Sequence, residues 1–166
     1  MKHFFFGFFF GLTVAIGHAA PAHVHGKARL EIAIEADGML IRFETPLDGL
    51  LGFEHSPRTN AQRQAVQTMK LVLESPERLF QLPAQAQCKA LPPEIESPVF
   101  SGKKVSGHLD LDASYPWRCA NPSALKTLNT LLFAEFPRLK HIKLELVGPR
   151  GQKSGLLSAQ QPRFSW

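Results

Sequence analysis

Between residues 28 and 44, apolar side chains recur at every second position on both sides of Asp37-Gly38, and no other feature constrains the fold as strongly. Leu30, Ile32 and Ile34 alternate with Glu31, Ala33 and Glu35. Met39, Ile41 and Phe43 alternate with Leu40, Arg42 and Glu44. A period of two places one set on one face of an extended strand and the other set on the opposite face, the pattern of a half-buried strand. Asp37-Gly38 is a turn pair that closes two such strands into a hairpin.

The remaining elements follow from the same kind of reading. Residues 46–57 form a loop with Gly49, Gly52 and the group Phe53-Glu54-His55. A helix is predicted over residues 59–73, because Ala61, Ala65, Val66, Met69, Val72 and Leu73 share one face and Ser75-Pro76 stops it. Residues 79–82 and 86–91 read as short strands or irregular edges, and the prolines and glycine of residues 91–104 mark an exposed loop. Leu109, Leu111 and Ala113 alternate with His108, Asp110 and Asp112 in a strand over residues 105–115. Asn121-Pro122 opens a second predicted helix, in which Leu125, Leu128, Leu132 and Phe136 repeat until Pro137. Strands at Ile142, Leu144 and Leu146 and at residues 152–157, joined by a turn at residues 148–151, complete the reading. The expected class is α+β, with mainly antiparallel sheet, two principal helices and a strand-strand-helix unit in each half.

Thirteen Phe are present, and six of them fall within the first ten residues. Lys2 and His3 precede an apolar run over residues 4–16, and small residues follow at Gly17, Ala19, Ala20 and Ala22. This is the plan of a secretory signal peptide. The run is shorter than the roughly 20 apolar residues a membrane-spanning helix needs. Cleavage is expected after Ala19 or after Ala22, which makes residues 1–22 the leader and residues 23–166 a single exported domain without a stable membrane anchor. Export exposes Cys88 and Cys119 to an oxidising compartment, so they are expected to form one disulfide. Closing that loop is worth roughly 3–4 kcal/mol on the loop-entropy account.

The net charge of +5 is dispersed along the chain, and an exported protein meets little nucleic acid. No nucleophile elbow, zinc-protease helix or phosphate-cradling loop occurs, so no enzymatic activity is expected. Chemistry rests instead on the histidines outside the leader. His23 and His25 are two apart, so in an extended segment they point to one side, and paired neutral imidazoles suit zinc or copper. Cleavage after Ala22 would join His25, two backbone nitrogens and the free amine of His23 into a square-planar set suited to copper or nickel. His108, Asp110 and Asp112 share a strand face at steps of about 6.6 Å, so two of them at most reach one ion unaided. Glu54-His55 offers a ligand pair, or a carboxylate that orients an imidazole, or a loop that caps the next helix. His141, between Lys140 and Ile142 and near Lys143, is left out of the site because neighbouring cations disfavour another.

The order of motifs resembles the periplasmic zinc-binding proteins of the ZrgA type, a bacterial family long catalogued as a domain of unknown function. The resemblance is carried by His23-Val24-His25-Gly26, Gly52-Phe53-Glu54-His55, Ala86-Gln87-Cys88 and His108. It continues through Tyr115-Pro116-Trp117-Arg118-Cys119, Leu132-Phe133, Phe136-Pro137 and Gly151-Gln152. It implies a periplasmic protein accessory to zinc uptake that supports an inner-membrane metal transporter, with His23, His25, Glu54, His55 and His108 as the matching metal residues. The family commonly carries a His- and Asp-rich insertion between its halves; here residues 91–104 hold no histidine. The competing expectation is a periplasmic protein-interaction module without metal function.

Overall fold

The computed structural model describes residues 26–102 and 109–166. Residues 1–22, the expected leader, lie outside them, as do His23, His25 and His108. Strands β1 (Lys27–Glu35) and β2 (Gly38–Pro46) form the expected hairpin, paired antiparallel from Arg29 opposite Glu44 to Glu35 opposite Gly38. Gly38 cannot be replaced cheaply: a Cβ there would stand 1.9 Å from the Trp117 carbonyl oxygen. After β2 come the short helix α1 (Asp48–Leu51), the 14-residue helix α2 (Asn60–Leu73), α3 (Pro76–Leu79) and the strands β3 (Phe80–Gln81), β4 (Cys88–Ala90) and β5 (Glu94–Glu96). The second half holds β6 (Asp110–Cys119), β7 (Thr127–Thr130), α4 (Leu132–Glu135), β8 (His141–Gly148), β9 (Gly151–Leu157) and β10 (Arg163–Ser165).

The larger sheet runs β4-β6-β2-β1-β8-β9, with β5 beside β4 on the outer side of β6; a smaller sheet runs β10-β7-β3. All pairings are antiparallel except β1 with β8, which is parallel and starts with Lys27 opposite His141. Along β1, β2, β6 and β8 the side chains alternate as read from sequence. Leu30, Ile32, Ile41, Phe43, Leu111, Tyr115, Ile142 and Leu144 are buried on one face. Val66, Met69, Val72 and Leu73 of α2 join the same core, as do Leu128 of β7 and Phe80 of β3. The opposite face carries Arg29, Arg42, Glu44, Asp112 and Lys143 into solvent.

Helix α2 starts where its sequence says it should. Thr59 accepts from the N–H of Gln62 at 3.1 Å, and the Gln62 side chain accepts from the N–H of Thr59, a reciprocal capping box. The second principal helix does not form. Residues 122–124 make a single 3-10 turn, Thr127–Thr130 is a strand between β10 and β3, and α4 is only four residues long. Leu125, Leu128 and Leu132 are buried all the same, one in a turn, one in a strand and one in a helical turn. Two β-branched threonines suit β7, and the buried Thr130 hydroxyl accepts from the N–H of Leu132 to begin α4. Apolar residues three or four apart therefore served three elements rather than one helix. The strand-strand-helix order recurs in the second half as β6, β7 and α4, with a helix of only four residues.

Two further departures have local causes. β6 continues through Pro116 to Cys119 rather than stopping at Tyr115. Pro116 has no N–H to give a neighbour, and it sits where the partner changes from β5 to β4, its carbonyl taken by the N–H of Leu91. The proline-rich stretch is likewise not wholly irregular, since Glu94–Glu96 adds a strand to β6. Cys88 and Cys119 stand opposite each other in register and form the expected disulfide.

Candidate metal centre

The Glu54-His55 loop and the residues that adjoin His25 and His108 lie at one end of the larger sheet because of how its strands begin and end. Gly26, the residue after His25, gives its carbonyl to the N–H groups of Lys140 at 2.9 Å and His141 at 3.2 Å, which locks the start of β1 to the start of β8. Leu109, the residue after His108, accepts from the N–H of Leu47 at 2.9 Å, so the start of β6 meets the end of β2. From Leu47 the chain turns through α1 and ends that turn at Gly52, whose φ of +79° is the left-handed conformation glycine tolerates best. A Cβ on Gly52 would lie 2.7 Å from the Arg138 guanidinium carbon, and Arg138 is also backbone neighbour to Gly26, its carbonyl 3.3 Å from a Cβ placed there. Arg138 thus sits between the two glycines. The loop carrying Glu54 and His55 is brought to the same sheet end as the residues adjoining His25 and His108.

His55 is the best-defined side chain of the group. Its Nδ1 lies 3.0 Å from the Ser56 carbonyl oxygen. A carbonyl only accepts, so Nδ1 carries the proton and, in the neutral ring, Nε2 keeps its lone pair. That is the arrangement by which metal-binding histidines are oriented, one nitrogen spent on the backbone and the other aimed outward. Phe53 stacks on the ring at 5.2 Å between centroids with 28° between planes, which restricts its rotation. Glu54 is half-buried, with Oε1 shut off from solvent. These two residues have the donor chemistry zinc accepts, an imidazole nitrogen and a carboxylate oxygen.

The neighbouring charges divide by position. On the solvent face of β1, Arg29 pairs with Glu31 at 2.5 Å and with Glu145 at 2.9 Å, and Lys143 pairs with Glu145 at 2.7 Å. The Lys143 and Arg29 hydrogen bonds hold the Glu145 carboxyl below the usual carboxylate range. The stripe leading away from His25 is therefore a solvated ion-pair surface, worth little to stability. On the solvent face of β6, partial burial and then the charges of Asp110 and Glu96 push the Asp112 carboxyl up.

Among the described residues, no three His, Cys, Asp or Glu side chains come together as a metal site. Of the expected set, Glu54 and His55 are described and adjacent, while His23, His25 and His108 lie outside the described residues. So does the amine-terminal set considered for copper or nickel. His141, set aside on charge grounds, is exposed as expected, yet it lies in register with Lys27 at the very sheet end in question. Strand alternation alone gives its outward direction. Its position depends on the parallel pairing of β1 with β8, which no local signal announces.

The sequence matches the family described as ZrgA family zinc uptake protein over residues 22–166. The chain belongs to the ZrgA family. No curated protein matches it. The family connects the chain to zinc, the metal whose donor preferences Glu54 and His55 satisfy. The ZrgA-type motifs are spread over the match rather than contiguous, and in the structure Gly52-Phe53-Glu54-His55 and the residue following His23-Val24-His25 converge through Arg138.

Proposed function

We propose that this ZrgA-family protein captures zinc reversibly in the periplasm and supports its uptake through an inner-membrane transporter, acting as a binding protein rather than an enzyme. The observation that carries the reading is the His55 imidazole, whose Nδ1 is engaged by the Ser56 carbonyl and whose Nε2 is left as the donor. Glu54 supplies the adjoining oxygen. His23, His25 and His108 complete the proposed set, in which His25 adjoins Gly26 and His108 adjoins Leu109, both held at the same end of the sheet. The match beginning at residue 22, where the leader is expected to end, supports export. Among the described residues, no helix is long and apolar enough to cross a membrane.

Zinc is cargo here, so the chain's task is to hold neutral imidazoles and a carboxylate in reach of each other and to let the ion go. Protons compete for imidazole, so binding weakens as pH falls through the ordinary histidine range, roughly 6.5. Calorimetric titration of the exported chain with zinc at pH 7.5 and at pH 5.5 tests this. Saturable binding of one ion, at least tenfold weaker at the lower pH, is expected. Absence of binding at micromolar zinc at either pH contradicts it and leaves the interaction module as the better reading.

A further inference from the structure

The far end of the larger sheet, about 26 Å along β1 from its start, holds a cavity of 680 Å³ that the zinc reading does not use. Its inner wall is apolar: Ile34 from the end of strand β1, Leu146 from β8, Leu125 from the segment after the 3-10 turn, and Trp166. These are side chains of the core face. The rim is basic, with Lys126, Arg150 and Lys153 on it and Glu35 as its one acid. Arg150 lies on the turn between β8 and β9 and donates to the Leu125 carbonyl at 3.0 Å. A guanidinium has five N–H donors, so this bond orients the group without exhausting it.

We infer that this cavity binds a small amphipathic organic anion, its carboxylate on the cationic rim and its apolar body against Ile34, Leu125, Leu146 and Trp166. The volume lies within the range of ordinary small-molecule sites, and the pairing of an apolar wall with a few convergent charged groups is their usual composition. Charge decides the class of ligand. Three cations against one carboxylate favour an acid over an amine of the same length. The site is independent of the metal residues, since it occupies the other end of the strands.

Decanoate, 1-decanol and decylammonium, titrated separately by calorimetry against the full exported chain, test the inference. Decanoate is expected to bind saturably and to alter tryptophan emission through Trp166, decanol to bind more weakly, and decylammonium to bind weakest. Lys126→Gln with Lys153→Gln, both at exposed positions, is expected to weaken decanoate about three- to tenfold and leave decanol unchanged, in keeping with the modest value of solvent-exposed charge pairs. Ser123→Phe, at the cavity wall, is expected to weaken both. Failure of decanoate to saturate, equal binding of decanoate and decylammonium, or an affinity unchanged in the double variant would each overturn it. Zinc affinity, measured in the same double variant, is expected to be unchanged, so loss of anion binding is not confused with loss of the metal reading.

Discussion

The two ends of the parallel pair β1 and β8 are built from the same strands and do opposite things. At the starting end, Arg138 lies against both Gly26 and Gly52, the Gly26 carbonyl is taken up by the N–H groups of Lys140 and His141, and the polar Glu54-His55 loop follows directly from Gly52. At the finishing end, Ile34 and Leu146 face an opening, and the charges stand around it instead of within it. Close packing with a few oriented donors suits a small ion held by direct coordination. An open apolar groove suits a molecule with a body of its own. The difference is set less by composition than by local contacts: two glycines permit close approach at one end, while at the other the β8–β9 turn meets the Ala120–Lys126 segment through the Arg150 side chain beside an open groove.

Breaking the disulfide should have the largest effect on this contrast. Cys88 and Cys119 join β4 to β6, and Ala120 and Asn121, the next residues, line the cavity. Replacing both cysteines by serine is expected to cost about 3 kcal/mol of stability. Under conditions where the variant remains folded, decanoate binding should fall and zinc binding should not. Chemical denaturation and the two titrations check it. Equal loss at both ends would mean that the ends are not independent.

The converse variant is Gly52→Ala. Its φ of +79° and the guanidinium at 2.7 Å both oppose a side chain, and a loss of about 1–2 kcal/mol is expected. Zinc affinity should fall with the displaced loop, and decanoate affinity should stay. Thr59→Ala removes the cap of α2 immediately after the same loop, with an expected cost of about 1 kcal/mol and a smaller effect on zinc. A thermal melt of each variant orders the two.

The smallest effect concerns the open face between the ends. The Asp112 carboxyl is pushed up by burial and by Asp110 and Glu96, so the folded state disfavours its charge. For an acid with a raised folded value, stability is lost as pH rises from the ordinary aspartate range, roughly 3.9, through that raised value. Because Asp112 is exposed and its charge is screened by solvent, Asp112→Asn should stabilise by only about 0.3 kcal/mol at pH 7 and by nothing near pH 3. Denaturation midpoints at both pH values measure it.

Much of this architecture was legible in advance because strands announce themselves locally. The alternation around Asp37-Gly38 and along residues 109–115 gave the faces of β1, β2 and β6, and Thr59 with Gln62 marked the start of α2. What escaped was decided by partners distant in sequence. Leu125, Leu128 and Leu132 fit a helix until β3 and β10 are seen to flank Thr127–Thr130. Pro116 looks like a terminator until the change from β5 to β4 is seen opposite it. The last strand, β10, is three residues long and carries no period of its own. For the candidate site, Glu54-His55 is visible in sequence as a carboxylate and an imidazole after a Gly-containing turn, and as part of the ZrgA-type motif order. The orientation of its imidazole by Ser56, the role of Arg138 between two glycines and the arrival of His141 all depend on backbone geometry.

The central claim is that zinc is held at the starting end through His55. Competition against a chromophoric zinc chelator, run on the exported chain and on His55→Ala with unfolding curves for both, tests it most directly. The account predicts one tightly held zinc in the parent chain and at least tenfold weaker binding in the variant, with stability unchanged to within about 0.5 kcal/mol. Zinc held equally well by the parent and by a folded His55→Ala chain would contradict it.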